Sequence, residues 1–368
     1  MDFNNKKNIL YIITTLEPAG AQILVLNTLK FINLTKYNIF LVYLYKEAQA
    51  LEYIKIPKQI KIYDLSSNGR FRIFAFFKII QLIKKEKIDI IHTHLVHAGV
   101  IGKIAGKLTG IKHMITTRHY ALSNKEDSLM YQLENRLLKY CSRVIAVSDS
   151  VRRYLLKKNV VSSEMINVIH NGINVNLFKP SVNKKNTNNN FIIGTIGRLH
   201  PAKGYPVLLN AFKIIKENIE NVELEIIGEG LLQPELITLS EELGIASSIR
   251  WYCLIPYKKV IQKLSSWDLF VISSQSEGFG LVIIEAMALG LAVVASKVDG
   301  IVEIVDHEKT GYLFNKNDWE DMSMKITELL LNPKKRKIMG KNGREKVLKY
   351  FSIKTVVEKT ENIYDQLN

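Results

Sequence analysis

SSQSEGFGLVIIEAMALG, residues 273–290, is the stretch that decides how this 368-residue chain is read. It follows an apolar run, Leu269–Ile272, with the length and composition of a buried strand, and it passes into an apolar run with the length of a helix. Gly278 and Gly280 let backbone N–H groups turn toward a ligand as that helix begins. Glu285 sits between Leu281–Ile284 and Ala286–Leu289. A carboxylate in such a place is costly unless it is paired or hydrogen-bonded, so it marks a contact and not a solvated face.

Outward from this stretch, short apolar runs alternate with longer amphipathic ones. In the first half, Ile9–Thr14, Ile39–Tyr45, Ile60–Tyr63, Ile88–His92, Met114–Thr117 and Val144–Val147 read as strands, with helix-like segments such as Phe71–Lys87 and Ala98–Thr109 between them. The polar segment Ser181–Asn190 reads as a linker. The rhythm then restarts with Phe191–Ile196, Val222–Ile227, Ile249–Trp251, Leu269–Ile272 and Ala292–Ala295. This βαβ alternation predicts an α/β chain of two Rossmann-like domains, residues 1–180 and 181–351. Ser352–Leu367 is a terminal helix expected to rejoin the first domain, since Ile353, Val356, Val357 and Ile363 share one face.

Bulk composition excludes several classes. Two cysteines, Cys141 and Cys253, far apart, exclude a disulfide framework and favour a reducing compartment, the cytoplasm. Lys6-Lys7 before Ile9–Leu16 imitates a signal peptide but fits a buried strand, and Leu281–Ala295 is too short, and broken by Glu285, to span a bilayer. The net charge of +16 is lopsided. Residues 1–180 carry 27 Lys+Arg against 12 Asp+Glu, while residues 181–368 carry 24 against 23. Such asymmetry implies an anionic partner for the first half.

Three further motifs fall at strand ends. Gly20, in Pro18-Ala19-Gly20-Ala21, suits either a plain turn or a binding loop. Gly194-Thr-Ile-Gly197-Arg198 continues to Lys203-Gly204 and places a guanidinium and an ammonium in one turn, a pairing that suits a diphosphate. His92, His94 and His97 could suggest a metal, but no carboxylate or cysteine nearby completes a site, and a cleft lining or structural histidines fit better. His119 ends the next strand at the same sheet edge. Eight residues of helix rise about 12 Å, so Glu277 and Glu285 should meet two parts of one extended ligand, such as a hexose and a ribose.

Together these residues resemble the retaining glycosyltransferases of family 4, whose two facing Rossmann-like domains form the GT-B fold. The resemblance covers nearly the whole chain and rests on the E-x7-E pattern at Glu277 and Glu285, GRLHPAKG at 197–204, IIGEG at 226–230, VIHNGIN at 168–174 and DGIVEIV at 299–305. It implies that Gly197, Arg198 and Lys203 hold the donor diphosphate and that Glu285 accepts from the ribose. Glu277 would hold the transferred sugar with the backbone of Gly278, Phe279, Gly280 and Leu281, His119 would contact that sugar, and Gly20 would approach phosphate and acceptor. His119, Glu277, Arg198 and Lys203 are the candidate catalytic residues, with the role of Glu277, orientation or chemistry, left open. No Asp-x-Asp motif is present, so the cations are expected to do what a metal does elsewhere, with no cofactor. The implied reaction is same-face attack on a hexose of a nucleotide-sugar by a saccharide acceptor, lipid-linked, in bacterial surface-polysaccharide synthesis. The leaving phosphate oxygen takes the acceptor proton.

The chain departs from the family at several points. Ala19 precedes Gly20, Ala292 stands where proline is common, and Asp299-Gly300 replaces Gly-Gly. Trp251-Tyr252-Cys253-Leu254 lacks a glycine near the base pocket, so a UDP-sugar is only the leading donor over GDP and ADP forms. For Arg70–Lys85, a lipid-facing amphipathic helix competes with an ordinary helix burying Phe74, Phe77 and Ile80, and the ordinary helix is favoured. The charge of the whole first domain still points to the anionic inner leaflet. The alternatives are a hydrolase or epimerase of the same fold, and a basic nucleic-acid-binding protein. The full motif set opposes the first, and no recognised nucleic-acid motif supports the second.

Overall fold

The computed structural model describes residues 6–45, 48–66, 72–120, 128–180 and 190–367. Arg70, Phe71 and the linker expected over Ser181–Asn190, save Asn190, lie outside the described residues. The chain divides into two units, Met1–Gly172 with Ile353–Asn368, and Ile173–Ser352. The division falls ahead of residue 180 for a local reason. Ile173 bridges Ser352, and the Phe178 carbonyl accepts from Arg344 at 2.8 Å, so this segment is held by the second unit.

The first unit runs β1 (Lys7–Ile13), α1 (Gly20–Phe31), β2 (Tyr37–Tyr43), α2 (Ala50–Tyr53), β3 (Lys61–Asp64), α3 (Arg72–Lys85), β4 (Ile90–His94), α4 (Val96–Thr109), β5 (His113–Arg118), α5 (Leu129–Leu137), β6 (Arg143–Ala146), α6 (Asp149–Lys157) and β7 (Ile166–Val168). The second runs β8 (Phe191–Ile196), α7 (Tyr205–Asn218), β9 (Val222–Ile227), α8 (Gln233–Glu242), β10 (Ile249–Tyr252), α9 (Tyr257–Ser266), β11 (Leu269–Ile272), α10 (Leu281–Ala288), β12 (Ala292–Ser296), α11 (Ile301–Ile304), β13 (Gly311–Phe314), α12 (Trp319–Leu331) and α13 (Pro333–Tyr350). α14 (Ile353–Gln366) follows. The sheets are parallel, in the orders β3-β2-β1-β4-β5-β6-β7 and β10-β9-β8-β11-β12-β13. Strand order therefore reverses between β1 and β4, and between β8 and β11. Ligands in open α/β sheets bind beyond the strand carboxyl ends at such points.

α14 returns to the first unit because its apolar stripe belongs to that core. Val356, Val357 and Ile363 are buried with Ile9, Tyr11 and Leu26, each aliphatic side chain stabilising by about 1.5–3 kcal/mol relative to exposure. The Lys7 ammonium donates to the carbonyls of Tyr364 and Leu367 at 2.9 and 2.7 Å, satisfying open acceptors at the helix end. Ile9–Leu16, which imitated a signal peptide, contains the core of buried β1, and Leu281–Ala295 divides into α10 and β12. Among the described residues no helix is long and apolar enough to cross a membrane. Both cysteines are free thiols.

Two expectations need correction. On α3, Ala75, Ile79, Leu82 and Ile83 form the buried stripe at helical spacing, whereas Phe74 and Phe77 fall beside it and are each 59% exposed. Gly194 was grouped with Gly197 as a binding turn, but it lies within β8, where the Trp267 ring covers it; a Cβ there would lie 1.9 Å from Trp267 Cδ2. Gly194→Ala must displace that fully buried ring and is expected to cost about 1–3 kcal/mol. A urea-unfolding midpoint equal to that of the parent chain would refute this account.

Candidate functional site

In the second unit, the loops after β8 and β11 meet at the strand-order reversal. The Gln275 amide donates to the Ala202 carbonyl at 2.8 Å, and Ser273 Oγ donates to the Lys203 carbonyl at 3.0 Å. Gly204 makes this approach possible. Its φ is 63°, and a Cβ there would lie 2.2 Å from the Ser273 carbonyl oxygen. Across the junction the Lys203 ammonium pairs with Glu277 Oε2. Both side chains are about four-fifths buried, at 22% and 17% exposure. Arg198, on the same loop, is exposed and forms no ion pair among the described residues. The Gly197 carbonyl accepts from Tyr205 Oη at 2.7 Å.

Beyond Glu277 the chain turns into α10 through Gly280, whose φ is 100°. No side chain caps this helix, and the amides of Gly278, Gly280 and Leu281 find no acceptor among the described residues. A helix start with open N–H groups attracts anions. The Phe279 side chain points inward and packs edge-on against Phe351. Asp299 stabilises the turn: its carboxylate accepts from Ser276 Oγ at 2.7 Å and from the Glu277 amide at 3.2 Å. Its φ of 34° lies in the left-handed region, which a glycine occupies more easily. Asp299 thus accepts some backbone strain in exchange for two hydrogen bonds.

Glu285 is buried within α10, and Tyr257 Oη donates to its Oε1 at 2.7 Å. Glu277 and Glu285 meet different partners, Lys203 and Tyr257. Burial pushes the Glu285 carboxyl up to about 7, with the Tyr257 hydrogen bond opposing the rise. Nothing in the sequence singles out Tyr257, and Asp299 stands out there only within the DGIVEIV motif and as a departure from Gly-Gly, with no role. Tyr257 lies 28 residues from its partner, and no periodicity links the two.

In the first unit, Gly20 opens α1 and is exposed, and it is absent from the glycines with left-handed backbone, so the turn there does not demand glycine. His92, His94 and His119 are all buried. His92 Nδ1 lies 2.5 Å from Tyr364 Oη, and its Nε2 lies 2.7 Å from Thr117 Oγ1. His94 Nδ1 lies 3.3 Å from His119 Nε2. Burial pushes His92 down to about 3 and His119 down to about 4, with Arg118 adding to the latter; His94 is also held well below the usual range, chiefly by burial. All three are neutral near pH 7. His97 packs edge-on against Tyr45. Among the described residues no group of three or more His, Cys, Asp or Glu side chains is set to hold a metal ion. Just before His119, Arg118 pairs with Glu134, which also accepts from Lys103 at 2.8 Å; all three side chains are at least 94% buried.

A carboxyl group whose folded pKa exceeds its ordinary 4.5 keeps a proton that the unfolded chain has already lost. The burial of Glu285 therefore lowers stability as pH rises from about 4.5 through about 7. By pH 8 the loss should reach about 3 kcal/mol. Glu285→Gln should raise the melting temperature of the ligand-free protein markedly at pH 8 and little at pH 5, and an equal shift at both pH values would contradict the assignment.

Two families match the chain in succession. The one described as Glycosyltransferase Family 4 covers residues 20–177, and Glycosyl transferases group 1 covers residues 178–346. The capsular polysaccharide biosynthesis glycosyltransferase CapM of Staphylococcus aureus is 30% identical over 305 residues, spanning 79% of this chain and 80% of CapM. An Escherichia coli UDP-Gal:alpha-D-GlcNAc-diphosphoundecaprenol alpha-1,3-galactosyltransferase is 29% identical over 307 residues, 79% of this chain and 78% of its own length. Among solved structures, Anabaena HepE in complex with UDP-glucose superposes with a TM-score of 0.85 at 23% identity, covering 98% of this chain and 100% of that one. At that identity the likeness speaks to fold.

Proposed function

The chain belongs to the glycosyltransferases of group 1 and family 4, and on that premise we propose that it transfers a hexose from a UDP-sugar, with retention, to a lipid-linked saccharide. One observation carries this reading. The open amides of Gly278, Gly280 and Leu281 stand at the start of α10, next to a loop that bears Arg198 and Lys203. A diphosphate has the charge and the acceptor oxygens that this arrangement lacks. The name of CapM supports a capsular-polysaccharide product, and the name of the E. coli galactosyltransferase supports a diphosphoundecaprenol-linked acceptor and a UDP donor.

The chemistry follows from the charges. As the anomeric C–O bond breaks, positive charge grows on the sugar and negative charge on the leaving diphosphate. Arg198, Lys203 and the α10 amides would stabilise the leaving charge, a role that a metal ion fills elsewhere. The acceptor hydroxyl attacks from the face the diphosphate leaves, and its proton passes to the departing phosphate oxygen. Glu277 is released from Lys203 when the diphosphate claims that ammonium, and its freed carboxylate would accept from sugar hydroxyls. Glu285 would accept from the ribose, and His119 is assigned to the transferred sugar.

Membrane contact belongs to the same proposal. α3 presents Phe74 and Phe77 to solvent beside Lys78, Lys84 and Lys85, and α5 presents Leu129 at 83% exposure. Apolar side chains among cations suit an anionic lipid surface such as an inner leaflet.

Lys203→Ala should lower kcat about 10²- to 10³-fold, the loss typical when one stabiliser of developing charge is removed. Glu285→Gln should sharply weaken UDP-sugar binding, read as a lost thermal shift in a panel of UDP-, GDP- and ADP-sugars. Unchanged binding would remove the donor site from α10. Flotation with anionic liposomes at low salt should carry the protein upward, and Phe74→Ser with Phe77→Ser should abolish it; a parent chain that stays at the bottom would end the membrane reading.

A further inference from the structure

His119 is the ring assigned to the transferred sugar, and what fixes it is another histidine. His94 ends β4, and His119 lies one residue past the end of β5, its neighbour in the sheet. The His94 ring lies nearly parallel to Tyr11, 5.8 Å between centroids at 8°, and 4.4 Å from the centroid of His92. Behind these rings, Tyr11 Oη meets Tyr364 Oη at 2.5 Å, and Tyr364 Oη meets His92 Nδ1. His94 is thus clamped before it reaches His119. The backbone beyond it is strained as well: Leu95 has a φ of 69°, a conformation that costs a branched residue energy and persists where its surroundings enforce it.

The contact between His94 Nδ1 and His119 Nε2 has one consequence for protons. Two neutral imidazoles meeting nitrogen to nitrogen share a single hydrogen, so one ring donates and the other accepts. If His119 donated, His94 would carry its own proton on Nε2. That atom is buried and has no hydrogen-bond partner among the described residues. An orphaned buried N–H is rarer in folded proteins than an under-satisfied acceptor. If His94 donates instead, its Nε2 is a bare lone pair, the more tolerable orphan. His119 then accepts at Nε2 and must hold its proton on Nδ1.

We propose that His94 is a positioning residue that holds His119 in the Nδ1–H form, so that His119 presents a hydrogen-bond donor at Nδ1 to an oxygen of the bound sugar. His119 Nδ1 has no partner among the described residues, so this donor is available. An unrestrained imidazole prefers the opposite tautomer, with its proton on Nε2, so His94 reverses an intrinsic preference. The use to which the donor is put rests on the reading of His119 given above; the tautomer itself does not.

The test uses the full chain with 15N-labelled histidine rings and long-range 1H–15N spectra, the His119 signals being identified by their loss in His119→Gln. The parent protein should show His119 protonated at Nδ1. His94→Phe preserves the ring packed on Tyr11 but cannot donate; in it His119 should revert to the Nε2–H form, and kcat should fall about tenfold or more with donor KM little changed. His94→Asn, with an amide N–H close to the former Nδ1, should restore both the tautomer and most of the kcat. Thermal melts keep a folding defect from being mistaken for this effect. An Nε2–H form of His119 in the parent chain, or an unchanged tautomer in His94→Phe, overturns the proposal. Should His119→Gln itself leave transfer intact, the assignment of His119 to the sugar fails instead, whatever the spectra show.

Discussion

The pairing of Lys203 with Glu277 is the contact on which the second unit's arrangement turns. β8 and β11 lie side by side and parallel, yet the helices that follow them pack differently, α7 against α12 and α10 against α13. Two loops leaving adjacent strands in divergent directions open a crevice, and a charged bridge between them holds its walls in register. The glycines nearby serve the same end. Gly204 admits the Ser273 carbonyl, and Gly228 admits that of Gly197, whose oxygen would lie 2.0 Å from a Cβ. Backbone comes close to backbone where the ion pair needs it to.

The first unit solves a related problem with uncharged groups. Its strand ends converge on histidines and tyrosines that are fully buried, and burial keeps all three histidines neutral. The charges there, Lys103, Arg118 and Glu134, are gathered into one buried cluster beneath the end of β5. A buried cluster of this kind is weak evidence for stability, because desolvation offsets much of the attraction, but removal of one partner leaves an uncompensated charge. It acts as a fixed anchor for the residue that precedes His119.

Much of this was legible in the sequence because parallel strands buried on both faces write themselves as apolar runs. β8, β9 and β11 have the very limits expected, whereas β7 (INV) is polar at its centre and β13 (GYLF) opens on a glycine, so neither stands out as an apolar run. Glu285 could be picked out because a carboxylate in an apolar helix violates the local pattern. Tyr257 and Glu134 could not, since their importance lies in contacts with residues 28 and 31 positions away that no local pattern encodes. The burial of Phe74 and Phe77 was misjudged for a related reason. An aromatic residue at a plausible spacing looks like core until the neighbouring stripe, here Ala75, Ile79 and Leu82, is seen to fill the sheet-facing side.

The return of α14 to the first unit has a consequence for how the molecule is made. Ile173–Ser352 is a continuous segment with its own core, and a ribosome delivers all of it before α14. The first unit emerges earlier but stays unfinished, because Tyr11, Tyr37 and His92 wait for Tyr364 to cover them. Synthesis order and completion order are thus inverted: the later half can close on its own, while the earlier half carries an uncovered aromatic and imidazole surface until α14 has been made. A nascent chain of this design has a period in which its histidine-bearing unit is open to chaperones, and removal of α14 would strike the first unit and leave the second intact.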